Sequence, residues 1–252
     1  MQTLYPLAKY RPLSSRQTEP SIGTPRVLIF HTMVGNLSGT DNMFKRDGYS
    51  GTESHFGVGG PWESPSLDGV VYQWQPIDHQ ADAQWDGNAY ATSIETADGG
   101  NPNNKWTALM LDALVRLGVW WCKATGNPAT LVSSPSGRGI GYHCQFGAWN
   151  RSAHTCPGKV RLDQLLHNVI PSIHAEVAGG TFVLKRYLRL ESPMMHGADV
   201  TRCQAKVGCK TDGYFGAITK EHVVAYQKAH RLIADGVVGP DTARSFGWSW
   251  QG

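Results

Sequence analysis

The sequence predicts an α/β domain, a mixed central sheet flanked by helices, followed by a small all-α bundle of three helices. Three observations carry this. Short branched apolar runs alternate with helical periodicity over residues 26–177. A Gly179–Gly180 pair in EVAGGTF then interrupts the pattern as a linker does. Beyond it, Asp212-Gly213-x-x-Gly216-x-x-Thr219 returns as Asp235-Gly236-x-x-Gly239-x-x-Thr242, at an offset of 23 residues. The expected domains are residues 1–178 and 183–252.

RVLIFHT (26–32) is bounded by Pro25 and Gly35–Asn36 and reads as a buried strand. SHFGVG (54–59), VVYQWQ (70–75) and ATSIETA (91–97) are further strands, with Asp68–Gly69 as a hairpin turn between two of them. Trp106, Leu109, Ala113, Leu114, Leu117, Trp120 and Trp121 recur at helical spacing, with Asn103 or Asn104 as the cap and Gly126 and Pro128 as the stop. A last helix runs from about Leu162 to Val177, where Pro171 must kink or split it. In the second domain Asp199 caps a helix ending near Val207. Ile218, Val223, Tyr226 and His230 share a face of the next, and Pro240 opens the third.

Composition excludes several classes. Hydrophobic residues make up 40% and the net charge is only +3, which no disordered chain combines. Lys and Arg are not clustered as a nucleic-acid binder requires, and no apolar run is long enough to span a bilayer. MQTLYPLAKYRPLSS lacks an uninterrupted apolar core after a basic start, so no signal peptide is expected. The five cysteines contain no CxxC pair, and their odd number argues against a disulfide framework, although Cys203 and Cys209 are close enough for a local bridge.

The chemistry concentrates in two places. His31 ends the first strand, where its side chain can project into a cleft. GIGYHCQFGAWNRSAHTCPGKVR (139–161) then supplies His143, His154 and Cys156 from what reads as an irregular, turn-rich stretch. Two imidazoles and one thiolate make a donor set suited to zinc with its fourth position left open. Trp62, Trp74 and Trp85 are candidates for stacking on sugars, with core packing the commoner fate of a tryptophan.

HT after an apolar strand, SHFGVG followed by DGVVYQ, SIE, and GYHCQF followed by HTCPGK resemble, in this order, the zinc-dependent N-acetylmuramoyl-L-alanine amidases, which include phage lysins and peptidoglycan recognition proteins. The resemblance spans roughly residues 25–175. It implies His31, His143 and Cys156 as zinc ligands, Glu95 as the group that activates water, and His154 as the group that steadies the oxyanion. Two features depart from the pattern: 13 positions separate His143 from Cys156, and Ser54 replaces a tyrosine beside His55, leaving His55 a supporting role at most. MMHGADVTRCQAKVG, DGYFGAIT, VVAYQKAH and DGVVGPDT resemble a small peptidoglycan-binding domain, with Gln204 and Gln227 on its pattern.

Together the resemblances imply a monomeric endolysin that cuts the lactyl–L-alanine amide of peptidoglycan with Zn2+, binding no nucleic acid and inserting in no membrane. Such a lysin is made in a host cytoplasm and released to the wall by a separate holin. The competing expectations are a recognition protein that binds wall without cutting it, and a zinc peptidase acting on the stem peptide. Retention of Cys156 favours the cutting enzyme over the first.

Overall fold

Four consecutive apolar residues with no polar alternation belong in a strand covered on both faces, and Val27–Phe30 (β2) is such a strand, fully buried. The computed structural model describes residues 3–13 and 20–252; residues 1–2 and 14–19, which include part of the stretch read for an export signal, lie outside them. The chain separates into two compact units, residues 1–177 and 178–252.

In the first unit β2 is flanked by Ala91–Thr96 (β5) and Gly139–Tyr142 (β6), both parallel to it. Phe56–Val58 (β3) runs parallel to β5 and antiparallel to Val71–Gln73 (β4), and Lys9–Tyr10 (β1) closes the far edge. The resulting order is β1-β4-β3-β5-β2-β6, a mixed sheet as expected. Helices Leu37–Phe44 (α1) and Ala108–Thr125 (α2) are joined by a third helical stretch at the end of the unit. Trp106, just before α2, and Ala113, Leu114, Leu117 and Trp121 on it join Leu28, Phe30, Phe56 and Ile94 of the sheet in one core.

Three local expectations are corrected, and that at Pro171 is narrowed to one of its two forms. Asp68–Gly69 does not form a tight hairpin: the link between β3 and β4 includes a 3-10 turn at Pro65–Leu67, and Asp68 accepts from the Thr107 hydroxyl. Gly69 (φ +73°) is still required, since a Cβ there would come within 2.7 Å of the Leu109 carbonyl oxygen. The cap of α2 is Thr107, whose Oγ1 accepts from Met110 N–H at 3.1 Å, while Asn104 donates to the Asp98 carbonyl instead. Gly126 ends α2 in the left-handed region (φ +70°). Of the two outcomes expected at Pro171, the split is absent and the helix is instead distorted into a wider turn. Lys159–Gln164 (α3) passes through a π turn, Leu165–Val169, directly into Ile170–Val177 (α4). The wider turn, ending at Val169, lies just ahead of Pro171, which has no N–H to give. Finally, GIGY is a strand, not irregular chain. Gly141 lowers its strand propensity, but a Cβ there would lie 2.8 Å from the buried Trp149.

The second unit holds Ala198–Val207 (α5), Ala217–Ala229 (α6) and Pro240–Ser245 (α7), plus a short parallel pair, Val183–Leu184 (β7) with Ser249–Trp250 (β8). Gly197, not Asp199, caps α5; Asp199 pairs with Arg186. Thr219, Val223 and Gln227 form the inward face of α6, whereas Ile218 and His230 are exposed. Cys203 and Cys209 are both free thiols.

The sequence echo is a repeated hydrogen-bond knot. Buried Gln204 donates through Nε2 to Asp212 Oδ1, the Tyr214 carbonyl and Thr219 Oγ1, and accepts from Gly213 N–H. Buried Gln227 does the same with Asp235, Val237, Thr242 and Gly236. Each amide thus fastens an Asp-Gly turn to the helix that follows it.

Candidate metal centre

Strand register builds the site. Phe30 pairs with Ile94 on one side and Tyr142 on the other. One step further along three adjacent parallel strands therefore come Glu95, His31 and His143. They stand side by side at the carboxyl edge of the sheet, where open α/β sheets bind ligands. The ladder continues to hold them: His31 N–H donates to the Ile94 carbonyl at 2.8 Å, and Thr96 Oγ1 donates to the His31 carbonyl at 2.7 Å. The rings of His31 and His143 are 4.5 Å apart, and Glu95 Oε1 lies 3.8 Å from His31 Nδ1.

Cys156 arrives from the loop after β6. Its carbonyl accepts from Cys144 N–H at 3.0 Å, and its Sγ accepts from Thr32 N–H at 3.2 Å. One ligand atom each from His31, His143 and Cys156 falls within 4.8 Å of the others. His154 is exposed and stacks on His143, centroids 6.0 Å apart, with its backbone held by Asn150.

The electrostatics fit a cation. His31 Nε2, His143 Nε2 and Glu95 Oε2 are buried without a hydrogen-bond partner, an arrangement proteins otherwise avoid. Burial, and then the nearby His143, hold the His31 pKa well below its ordinary value. Burial, with His154 adding to it, lowers that of His143. Both imidazoles are thus offered neutral, the form that ligates. Burial pushes the Cys156 thiol far up, with Glu95 adding to the effect, so a thiolate there needs a cation beside it. Burial raises Glu95 to about 8, opposed by Arg161 and reinforced by Asp98. Two nitrogens and one sulfur fit zinc with one position left open.

The N-acetylmuramoyl-L-alanine amidase family model matches residues 21–159, and the model described as "Putative peptidoglycan binding domain" matches 203–245. The chain belongs to the N-acetylmuramoyl-L-alanine amidase family. Among solved structures, N-acetylmuramoyl-L-alanine amidase LysC from Clostridium intestinale URNW is 18% identical, covering 62% of this chain and 93% of that one, with a TM-score of 0.44. Staphylococcus aureus hydrolase AmiA in complex with its ligand is 13% identical, covering 69% and 87%, with a TM-score of 0.46. No curated protein matches the chain by sequence.

The candidate site opens into a cleft of about 530 Å³ lined by His31, Glu95, His143, His154 and Cys156 together with Trp85. Of the three tryptophans singled out by sequence, Trp74 is core and Trp62 half-buried, while Trp85 is 49% exposed at the cleft. Ser54 and His55 are tied up elsewhere: the Ser54 hydroxyl donates to the Phe56 and Ser93 carbonyls, and the His55 nitrogens contact Ser93 Oγ and the His79 carbonyl.

Sequence reasoning missed Arg161. It is fully buried, donating through Nη1 to Thr32 Oγ1 (3.1 Å) and to the carbonyl and hydroxyl of Thr96 (both 3.0 Å). Its Nη2 reaches the Ala97 carbonyl at 2.6 Å and its Nε the Asn104 carbonyl at 2.9 Å. Thr32 Oγ1 in turn donates to the Pro157 carbonyl at 2.9 Å. One guanidinium therefore fastens the residues next to His31, Glu95 and Cys156. A cation in an otherwise amphipathic helix, five residues after Cys156, was the available signal, and it reads by default as a solvated side chain.

Proposed function

We propose that the chain hydrolyses the amide between the lactyl group of N-acetylmuramic acid and L-alanine, with His31, His143 and Cys156 holding zinc. The convergence of those three donors beside Glu95, on one sheet edge, is the observation that carries this reading. Bound there, zinc supplies Lewis acidity, lowering the pKa of water toward about 7 and polarising the scissile carbonyl.

The chain's own groups do the rest. Glu95, which a cation held by the three donors would keep ionised despite its burial, accepts the proton of the attacking water at a carboxylate oxygen and returns it to the alanine nitrogen as the C–N bond breaks. The new C–O bond leaves a lactyl carboxylate, and the nitrogen leaves as a free α-amine. His154, at the cleft beside His143, donates a ring N–H to the carbonyl oxygen as negative charge develops there. Thr32 N–H, aimed at Cys156 Sγ, stabilises the thiolate form of that ligand.

Digestion of purified wall tests the reading. New L-alanine N-termini appear, a chelator abolishes their release, and added zinc restores it. New amino groups elsewhere in the stem peptide would instead identify a peptidase, and wall binding without release a recognition protein.

The second unit then acts as a wall anchor, raising the effective concentration of the amidase unit on an insoluble polymer. The pairing of cutting and anchoring domains supports a lysin that reaches the wall from inside a phage-infected cell. No helix among the described residues is long and apolar enough to cross a membrane, which fits release by a separate holin. A chain ending at Ala178 keeps its activity on soluble muropeptides but loses most of it on whole walls. Equal loss on both substrates would contradict the anchoring role.

A further inference from the structure

The 23-residue repeat supplies its own control, because two copies of one knot share a scaffold and differ at the rim. The residues kept in both, Gln204/Gln227, Asp212/Asp235, Gly213/Gly236 and Thr219/Thr242, bond to one another and are accounted for by folding. The differences lie around a cavity of about 630 Å³ at the second copy. We infer that this cavity is the wall-binding site of the C-terminal unit, and that its ligand is the carboxylate-bearing stem peptide of peptidoglycan. The inference rests on the wall-anchoring reading and deepens it.

The decisive position is Arg231. Its counterpart in the first copy is Gly208, in the left-handed region at φ +72°, where glycine meets no steric cost. Arg231 occupies the same kind of backbone at φ +58°, which an L side chain adopts only at a cost. Folding alone favours glycine at both places, so the arginine at the second needs another reason. Its side chain lines the cavity.

The surroundings define the ligand. Asp235 accepts from Gln227 and from Val237 N–H, and Asp241 pairs with Arg244 at 3.1 Å. Among the described residues no ion pair holds Arg231, so its guanidinium is the unpaired cation of the cavity, while Asp235, bonded only to neutral donors, is its unpaired anion. Beside it stand two apolar groups, Ile233 at 80% exposure and Tyr187 at 48%. In the first copy, Lys210 and Glu221 stand where Ile233 and Arg244 do here.

Tyr187 is set rigidly. Its ring is 4.8 Å from that of Trp250, and it lies so close to Gly239 that a Cβ there would come within 2.7 Å of it. A free guanidinium beside a fixed ring and an exposed branched side chain suits a short peptide that carries carboxylates and methyl groups. A neutral sugar would leave the charge unused.

The test uses the full chain carrying Glu95→Gln, so that walls stay intact, in sedimentation with purified walls. Arg231→Asn, an exchange suited to left-handed backbone, lowers apparent wall affinity at least ~10-fold. The free stem tetrapeptide displaces the chain from walls, whereas the same peptide with amidated carboxyls and the peptide-free glycan do not. Lys210→Ala, at the first copy, binds as the parent does.

Backbone amide NMR locates the site. Adding tetrapeptide shifts Leu232, Ile233 and Gly236–Gly239 but not their counterparts Cys209, Lys210 and Gly213–Gly216. Undiminished wall binding by Arg231→Asn overturns the pocket while leaving the anchoring reading intact. Displacement by glycan alone overturns the ligand. A parent chain that fails to sediment overturns both.

Discussion

Glu95→Gln keeps zinc at the parent stoichiometry yet cleaves the lactyl–L-alanine amide ~10²–10⁴-fold more slowly, the range expected for loss of a general base. The carboxamide has the carboxylate's shape and fills the same place beside His31, 3.8 Å from Nδ1. It cannot accept the proton that the water must lose. Because Glu95 is not among the three grouped donors, metal content measured by elemental analysis stays near one per chain. Turnover on a soluble muropeptide, which needs no anchoring, isolates the chemical step. Near-parental turnover removes Glu95 from the mechanism; loss of zinc reassigns it to holding the site together.

Arg161→Met destabilises the amidase unit by about 3–5 kcal/mol, because several buried carbonyls each lose their donor at about 1–3 kcal/mol apiece. Thermal unfolding then falls by roughly 10 °C. Methionine fills most of the volume but leaves the carbonyls of Thr96, Ala97 and Asn104 without their buried donor. The clamp that runs from Arg161 through Thr32 to Pro157 goes with it, so zinc is also held less tightly in competition with a chelator. Arg161→Lys recovers only part of either property, because an ammonium cannot replace a planar fork reaching three segments. An unchanged melting temperature would show that Arg161 carries none of this.

Legibility in the sequence followed the range of each interaction. The run VLIF, the left-handed stop at Gly126 and the start of α7 at Pro240 are written in local backbone preferences, and each could be read off directly. The knots of the second unit were legible as a repeat, because Asp-Gly turns recur at a fixed offset. What the buried Gln204 and Gln227 do there was not, since a glutamine in a helix signals nothing about its partners. The bond by which Thr107 caps α2 is local, but its hydroxyl is also held by the distant Asp68, a fact absent from the string of polar residues before the helix. β6 was read as irregular because its glycines argue against a strand, and only β2 and the overlying Trp149 explain them.

Donor chemistry belongs to the side chain itself, so residue types nominated His31, His143, His154 and Cys156, whereas Glu95 and the role of each group came from the resemblance to the amidase family. Their meeting was decided by tertiary structure. Parallel register puts residues 31, 95 and 143 at one level on three neighbouring strands, and a loop pinned to Thr32 brings in Cys156. Arg161, the group that fastens those segments, could be valued only in the fold, because a cation's worth depends on its burial and on which oxygens surround it.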